Sequence, residues 1–329
     1  MTSVLQGGRR RRRRSGGFAR ILIALAVLAA AGALVYNDVL THQRGRHTLP
    51  PKVAIRQPPV TPPSTRATPP DPAQAALAGV DAFHIHFKVA PREAMVLDLD
   101  TGDVLWRRNP LQRVPIASLT KIMTALLVVE NTRPRDKVRI TKDALNYAGS
   151  GVGLLPKGRH VTVESLLYGL LLPSGNDAAI ALADYVGGTR RGFVTLMNKK
   201  ARRLGLRCTH FASPSGINDR DVSCAADLAV LARLAMAKTR IARIVRRSHA
   251  AVRFPIKGGK LYLNSTNPLL RMGYRGTLGL KTGDTLKAGH CLIAVVRHGS
   301  RTLVAIVLHS PNPQAQVRSL LARAFSARV

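Results

Sequence analysis

Pro115-Ile116-Ala117-Ser118-Leu119-Thr120-Lys121-Ile122-Met123-Thr124-Ala125-Leu126-Leu127, PIASLTKIMTALL, reads as the start of an apolar helix. Ser118 and Lys121 stand three positions apart in it. On a helix that spacing puts two side chains on one face, about 5 to 6 Å apart at Cβ. A serine near a helix N-terminus feels the positive end of the macrodipole, which favours a developing anion. A lysine beside it acts as a general base only when deprotonated, and desolvation or a neighbouring cation is needed for that. Taken alone, the spacing equally describes an N-cap serine followed by a solvated lysine, and the plainer reading holds for the isolated stretch.

Two stretches further along change the balance. In LLLPSGNDAAIALA, Ser174-Gly175-Asn176 lies in a turn between two apolar helices. A hydroxyl and an amide presented together can relay a proton and hold a carbonyl, although helix capping by Ser174 or Asn176 explains the stretch by itself. In GTLGLKTGDT, Lys281-Thr282-Gly283 ends a predicted strand. An ammonium and a hydroxyl at a strand edge suit a substrate carboxylate, and the glycine permits close backbone approach. S-x-x-K, S-x-N and K-T-G in that order, each in a fitting element, form the set used by penicillin-recognising serine enzymes.

The chain resembles the serine-type D-alanyl-D-alanine carboxypeptidases, the low-molecular-mass penicillin-binding proteins. The likeness extends over about residues 85 to 329. MVLDLDTGDVLWRRN resembles the family's first hairpin, and IASLTKIMTALLVVE its nucleophile helix. LLLPSGNDAAIALADYVGG and FVTLMNKKARRLGL resemble its central helices. NSTNPLL and GLKTGDTLKAGHCLIAV resemble the approach to its third motif and the exit from it.

The resemblance implies an α+β fold of the β-lactamase/transpeptidase type: an antiparallel sheet flanked by helices, with a helical subdomain. It implies that Lys121 takes the proton of Ser118, which attacks the carbonyl of a penultimate D-alanine. Ser174 would return the proton to the departing D-alanine, and Asn176 would hold the acyl side. Lys281 and Thr282, with Gly283 beside them, would bind the terminal carboxylate. Lys281 would also lower the pKa of Lys121. Backbone N–H groups of Ser118 and Asp284 would form the oxyanion hole. Peptidoglycan stem peptides are the implied substrates, and β-lactam antibiotics the implied covalent inhibitors. No metal or cofactor is implied.

Three departures stand out. Asp284 follows K-T-G where family members more often carry an aromatic, polar or histidine residue, and a carboxylate there would repel an anionic substrate. SPSGINDRDVSCAAD replaces a histidine-containing loop. Many relatives continue into a β-rich domain with a membrane helix, whereas this chain ends after its last catalytic-domain helix. The anchor is therefore expected at the N-terminus.

Rival readings differ in what they need. A class A β-lactamase would place a glutamate between its second and third motifs, and no glutamate lies between Asn176 and Lys281. A D,D-endopeptidase on the same scaffold, cutting cross-links, is not separated by sequence. A basic nucleic-acid-binding protein would draw on the charge: 51 Lys+Arg against 17 Asp+Glu give +34 over 329 residues. No stacking-aromatic pattern accompanies that charge, so nucleic acid is not the expected partner. The surplus suits an anionic partner such as a wall carrying many carboxylates.

Organisation along the chain agrees with export. Arg9 to Arg14 are consecutive arginines, and ILIALAVLAAAGALVY follows from Ile21. A basic cluster before one apolar run is the layout of a signal sequence or anchor. The expectation is a basic cytoplasmic tail over 1–20, a transmembrane anchor over 21–40 and a Pro-rich linker over 41–80. The catalytic domain follows over 81–329, on the outer side of the plasma membrane. Cleavage at an A-x-A site (Ala29–Ala31 or Ala31–Ala33) would instead release the protein.

Within the globular part, AMVLDLD-TGD-VLWRRN predicts two strands around a turn, and GTLGLKTGD, GHCLIAVVRHG and SRTLVAIVLHS three more in antiparallel succession. Helices are predicted over SLTKIMTALLVVEN, VESLLYGLLL, NDAAIALADYVGG, FVTLMNKKARRLGL, SCAADLAVLARLAMAKTRIARIVRR and QAQVRSLLARAF. Strands at both ends with helices between suggest a mixed sheet with a helical insertion. Cys208, Cys224 and Cys291 form no C-x-x-C pair, and the preferred reading is buried apolar filler.

Overall fold

The computed structural model describes Leu77 and residues 79–327. The expected basic tail, the anchor and nearly all of the linker lie outside the described residues. Among those described, no helix is long and apolar enough to cross a membrane. The described residues all fall in one compact unit.

Strand β1 (Glu93–Asp98) turns back into β2 (Val104–Arg108) through the Thr-Gly-Asp turn. The Asp98 carboxylate accepts from the N–H groups of Asp100 and Thr101, and Gly102 supplies the left-handed φ of 88° that closes the turn. Near the end of the chain, β9 (Thr277–Thr285), β10 (Gly289–His298) and β11 (Arg301–Ser310) follow one another by short turns. The sheet order is β2-β1-β11-β10-β9. Every pairing is antiparallel, so the sheet is not mixed. The chain leaves after β2, re-enters at the far edge as β9, and walks back by two hairpins to lie against β1.

These strands read as near-continuous apolar runs because both faces are covered. Met95, Leu97, Ile293, Val295, Val304 and Ile306 face the helical core. Ala94, Val96, Leu292, Ala294, Leu303 and Ala305 face a second cluster with Val317, Leu320 and Leu321 of the terminal helix. The alternation is the period of two expected of a strand.

The helical layer contains α1 (Lys121–Asn131), the short α2 (Lys142–Leu145), α3 (Val163–Leu171), α4 (Asn176–Gly187), α5 (Arg190–Arg203), α6 (Ala225–Ala237) and α7 (Thr239–Val245). The stretch read as helical from Ser223 to Arg247 is broken at Lys238, whose ψ of 106° is extended. The four-residue α8 (Pro268–Arg271) precedes β9, and α9 (Pro313–Ser326) closes the domain. Short ladders add β3 (Val114–Pro115) with β6 (Val222–Ser223), and β4 (Lys137–Arg139) with β5 (His160–Thr162). A further hairpin joins β7 (His249–Arg253) to β8 (Lys260–Asn264).

The cysteines correct the sequence reading. Cys208 and Cys224 form a disulfide, with Cα atoms 5.6 Å apart. Only Cys291, free and buried in the sheet, behaves as apolar filler. Pairing follows from tertiary approach: the end of the α5 region meets the start of α6, and a separation of 16 residues carries no recognisable motif.

Candidate active site

Ser118 lies in a 3₁₀ turn, Ala117–Thr120, that feeds directly into α1. It caps nothing: neither the turn nor α1 has a side-chain cap at its N-terminus. The turn is pressed from two sides by glycines. A Cβ on Gly283 would stand 2.8 Å from the Ile116 carbonyl oxygen, and one on Gly216 1.9 Å from that of Ala117. Gly216 also has a φ of 83°. Only glycine fits at both places.

Lys121, one turn along, is fully buried. Its Nζ lies 2.7 Å from each of three oxygens: Ser118 Oγ, Asn176 Oδ1 and the Ser215 carbonyl. The amide and carbonyl oxygens can only accept, so two N–H groups are committed to them. The Ser118 hydroxyl can accept or donate, so the third contact serves an ammonium or a neutral amine with a free lone pair. Burial lowers the Lys121 pKa well below its ordinary value, and the positive charge of Lys281 lowers it further. The carboxylates of Asp221 and Asp177 oppose this more weakly.

The S-G-N turn reaches Lys121 from the head of α4. Ser174 holds a left-handed φ of 66°, rare outside glycine, and its buried Oγ has no hydrogen-bond partner among the described residues. Asn176 presents Oδ1 to Lys121 while its Nδ2 donates to the Ala148 carbonyl at 2.6 Å. Next in sequence, Asp177 accepts from the N–H groups of Val152 and Gly153. These bonds tie the 148–153 segment to the mouth of the site. The helix-cap reading is not realised: the N-cap of α4 is Gly175, with no side-chain bond.

K-T-G lies inside edge strand β9 rather than at its end. Lys281 is buried, donates to the Thr282 carbonyl at 2.9 Å, and has its pKa lowered to about 7 by burial. Thr282 Oγ1 lies 2.7 Å from Thr266 Oγ1. Asp284 is exposed and lies 3.2 Å from His290 on β10.

Sequence reasoning missed the loop that completes the cradle. Asp221 accepts from the N–H groups of Ala212 and Ser213 and from the Ser213 hydroxyl, with distances of 2.7, 2.8 and 2.6 Å. Thr124 of α1 donates to the Pro214 carbonyl at 2.6 Å. The Ser215 carbonyl is thereby aimed at Lys121. The only sequence signal was the S-P-S-G-x-N-x-x-D cluster, whose turn chemistry is common. Asp227 lies near both bridged sulfurs, but its carboxylate accepts from Cys208 N–H and the Thr209 hydroxyl.

Known proteins resemble this chain over the same region. Residues 80–312 match the peptidase S11 family, described as D-alanyl-D-alanine carboxypeptidase. The chain is similar to D-alanyl-D-alanine carboxypeptidase DacF of Bacillus subtilis, 36% identical over 71% of this chain and 62% of that protein. It is also similar to a D-alanyl-D-alanine endopeptidase of Pseudomonas aeruginosa, 33% identical over 63% of this chain and 67% of that one. The crystal structure of the Streptomyces K15 DD-transpeptidase superposes with a TM-score of 0.69 at 32% identity, covering 74% of this chain and all of that one. The chain thus spans about three fifths of the length of DacF. With its family match covering the whole five-stranded sheet, and with the fold shared at this identity, the chain belongs to the S11 family of D-alanyl-D-alanine carboxypeptidases.

Proposed function

We propose that the protein is a serine D-alanyl-D-alanine carboxypeptidase that removes the terminal D-alanine from peptidoglycan stem peptides. The observation carrying this reading is the buried Lys121 amine held 2.7 Å from the Ser118 hydroxyl. Neutral Lys121 takes the Ser118 proton as Oγ bonds to the penultimate D-alanine carbonyl carbon. The backbone N–H groups of Ser118 and Asp284 receive the oxyanion. The C–N bond then breaks, and Ser174, whose buried hydroxyl lacks a partner, passes a proton to the leaving amine. Water cleaves the resulting ester, returning Ser118. Asn176 holds the acyl side and keeps Lys121 in place. Lys281 and Thr282 take the terminal carboxylate, and Gly283 allows the strand to approach Ser118.

β-Lactams would acylate the same hydroxyl. The N-terminal arginines and apolar run support a single-pass anchor over 21–40, with a linker over 41–80 and the catalytic domain (81–329) outside the plasma membrane. A D,D-endopeptidase is the second reading, favoured by the similarity to a protein of that name. The test is release of D-alanine from a pentapeptide ending in D-Ala-D-Ala, beside covalent labelling with a fluorescent penicillin. Ser118→Ala must lose both; labelling that survives this substitution would sink the assignment. Faster cleavage of a cross-linked dimer than of the pentapeptide would select the second reading.

A further inference from the structure

The positive charge of this chain is not spread evenly around its acids. Glu130 pairs with Lys200 and Lys238, Glu164 with Arg240 and Arg243, and Asp98 with Arg301. A cleft of about 780 Å³ between the β4–β5 ladder and the β7–β8 hairpin has no acid among its lining residues. Arg135, Lys137, His160, Arg253 and Lys260 line it. None of these five side chains makes an ion pair among the described residues. Their placement opposes what a hairpin prefers: Arg253 stands directly across from Lys260. Like charges opposite one another destabilise a strand pair. An anion seated among these cations would offset that repulsion.

Two further clefts lie along the same hairpin, towards the proposed active site. A second cleft, of about 440 Å³, shares Arg135, Thr162 and Arg253 with the first and continues past Arg247, Ala250 and Glu164, whose carboxylate is paired with Arg240 and Arg243. A third, of about 550 Å³, is lined by His249, Asn264, Thr266 and Pro173, the residue before Ser174. Thr266 is the hydroxyl that touches Thr282 of K-T-G. The first two clefts meet at Arg253, and the third begins at the other end of β7, at Ser248 and His249, with no lining residue in common with them. From His249 to Arg253 the strand spans roughly 13 Å, and from Lys260 to Thr266 the chain spans roughly 20 Å.

We infer that this track binds the carboxylate-bearing peptidoglycan strand to which the scissile peptide belongs, with the Arg135–Lys137–Arg253–Lys260 end holding carboxylates remote from the cleaved bond. The inference rests on the proposed carboxypeptidase reading and extends it to the polymer. Three residues of a pentapeptide beyond the scissile pair reach only about 10 Å at 3.3 to 3.6 Å each, short of the cationic end. A polymer reaches it. A concave slot also suits a thread better than a flat lipid surface.

The test compares the full chain with a Lys137→Glu, Arg253→Glu, Lys260→Glu variant on two substrates, a soluble pentapeptide and insoluble peptidoglycan. The expected result is a KM for the polymer raised about tenfold or more, kcat within about twofold, and unchanged pentapeptide kinetics. Co-sedimentation with the polymer should fall in the variant, and also for wild type once the polymer's carboxylates are amidated. Unchanged polymer KM and sedimentation would overturn the inference, as would full binding to the amidated polymer. If the charge-reversed variant loses both activities, the Gln-substituted triple variant decides by the same two readouts. If wild type releases no D-alanine from either substrate, the carboxypeptidase reading fails, while sedimentation still judges the cleft. Charge-dependent binding to anionic phospholipid vesicles with none to peptidoglycan would also overturn it.

Discussion

Lys121 Nζ and Asn176 Oδ1 lie 2.7 Å apart, joining the start of α1 to the start of α4 across 55 positions of sequence. The contact is buried and involves an amide, which accepts without adding charge. That choice matters for a lysine that has to be neutral. Asn176→Asp would place a carboxylate against the amine and favour its protonated form, raising its pKa. The acid limb of penicillin acylation should then move to higher pH, and the rate near neutrality should fall by roughly 10²-fold, on the scale of a lost general base. A pH profile of acylation by stopped-flow fluorescence reads both. An unmoved acid limb would contradict the role given to Asn176.

Lys281 acts on Lys121 by charge, in addition to the carboxylate-binding role proposed for it. Burial is the first cause of the low Lys121 pKa and the Lys281 cation the second. Lys281→Met removes that cation, so the Lys121 pKa should rise and the acid limb shift upward, while KM for a carboxylate-terminated peptide increases. Stability carries a separate sign. The folded Lys281 pKa of about 7 is below its ordinary 10.5. Between those values the unfolded chain holds a proton that the folded chain has lost, so wild-type stability rises with pH across that window. The variant should be the more stable protein below pH 7, with the advantage shrinking towards pH 10. Urea unfolding at a series of pH values tests it.

Glu93 gives the opposite slope. It is buried in β1, its Oε2 accepts from the Ala225 N–H at 3.2 Å, and its Oε1 has no partner among the described residues. Burial raises its pKa from 4.5 to about 8. Between these values the folded chain keeps a proton that the unfolded chain has lost, so stability falls as pH rises from 4.5 to 8. Glu93→Gln keeps the acceptor and removes the titration. It should stabilise by on the order of 1–3 kcal/mol at pH 8 and by nearly nothing at pH 4. Equal effects at both pH values would show that Glu93 is not buried as a neutral acid.

The Cys208–Cys224 bond closes the loop that carries Ser213, Ser215, Gly216 and Asp221. Cross-linking a loop of this length restricts the unfolded chain and is worth about 3 kcal/mol in the loop-entropy account. Cys208→Ser with Cys224→Ser should lower the denaturation midpoint accordingly. It should also slow acylation several-fold, because the Ser215 carbonyl that holds Lys121 rides on that loop. Cys291→Ser, buried elsewhere, is the control for a non-specific thiol effect. Acylation as fast in the double variant as in wild type would restrict the bond to a stabilising role.

Much of the fold was written locally. The Thr-Gly-Asp hairpin, the three closing strands and the main helices depend on turn residues and on apolar period, and these act over a few residues. The three motifs were readable for the same reason: each is a short run whose residue types suit one element. The β7–β8 hairpin and the short ladders were not read, because their strands are brief and polar on one face. The break at Lys238 was hidden because helix-forming residues continue on both sides of it.

What the sequence determined by itself was therefore the elements and the identity of the candidate reacting groups: a hydroxyl, an amine, an amide and a K-T-G edge. Tertiary structure alone decided their chemistry. Lys121 has a lowered pKa because packing removes water from it and brings Lys281 near, and neither desolvation nor a field from 160 residues away is encoded in S-x-x-K. The Ser215 carbonyl, the glycine at 216, the disulfide and the unneutralised cationic cleft likewise exist only where distant segments meet. Burial and through-space charge are properties of that meeting, and they give the lysine of an ordinary helix start the lowered pKa that the proposed mechanism needs.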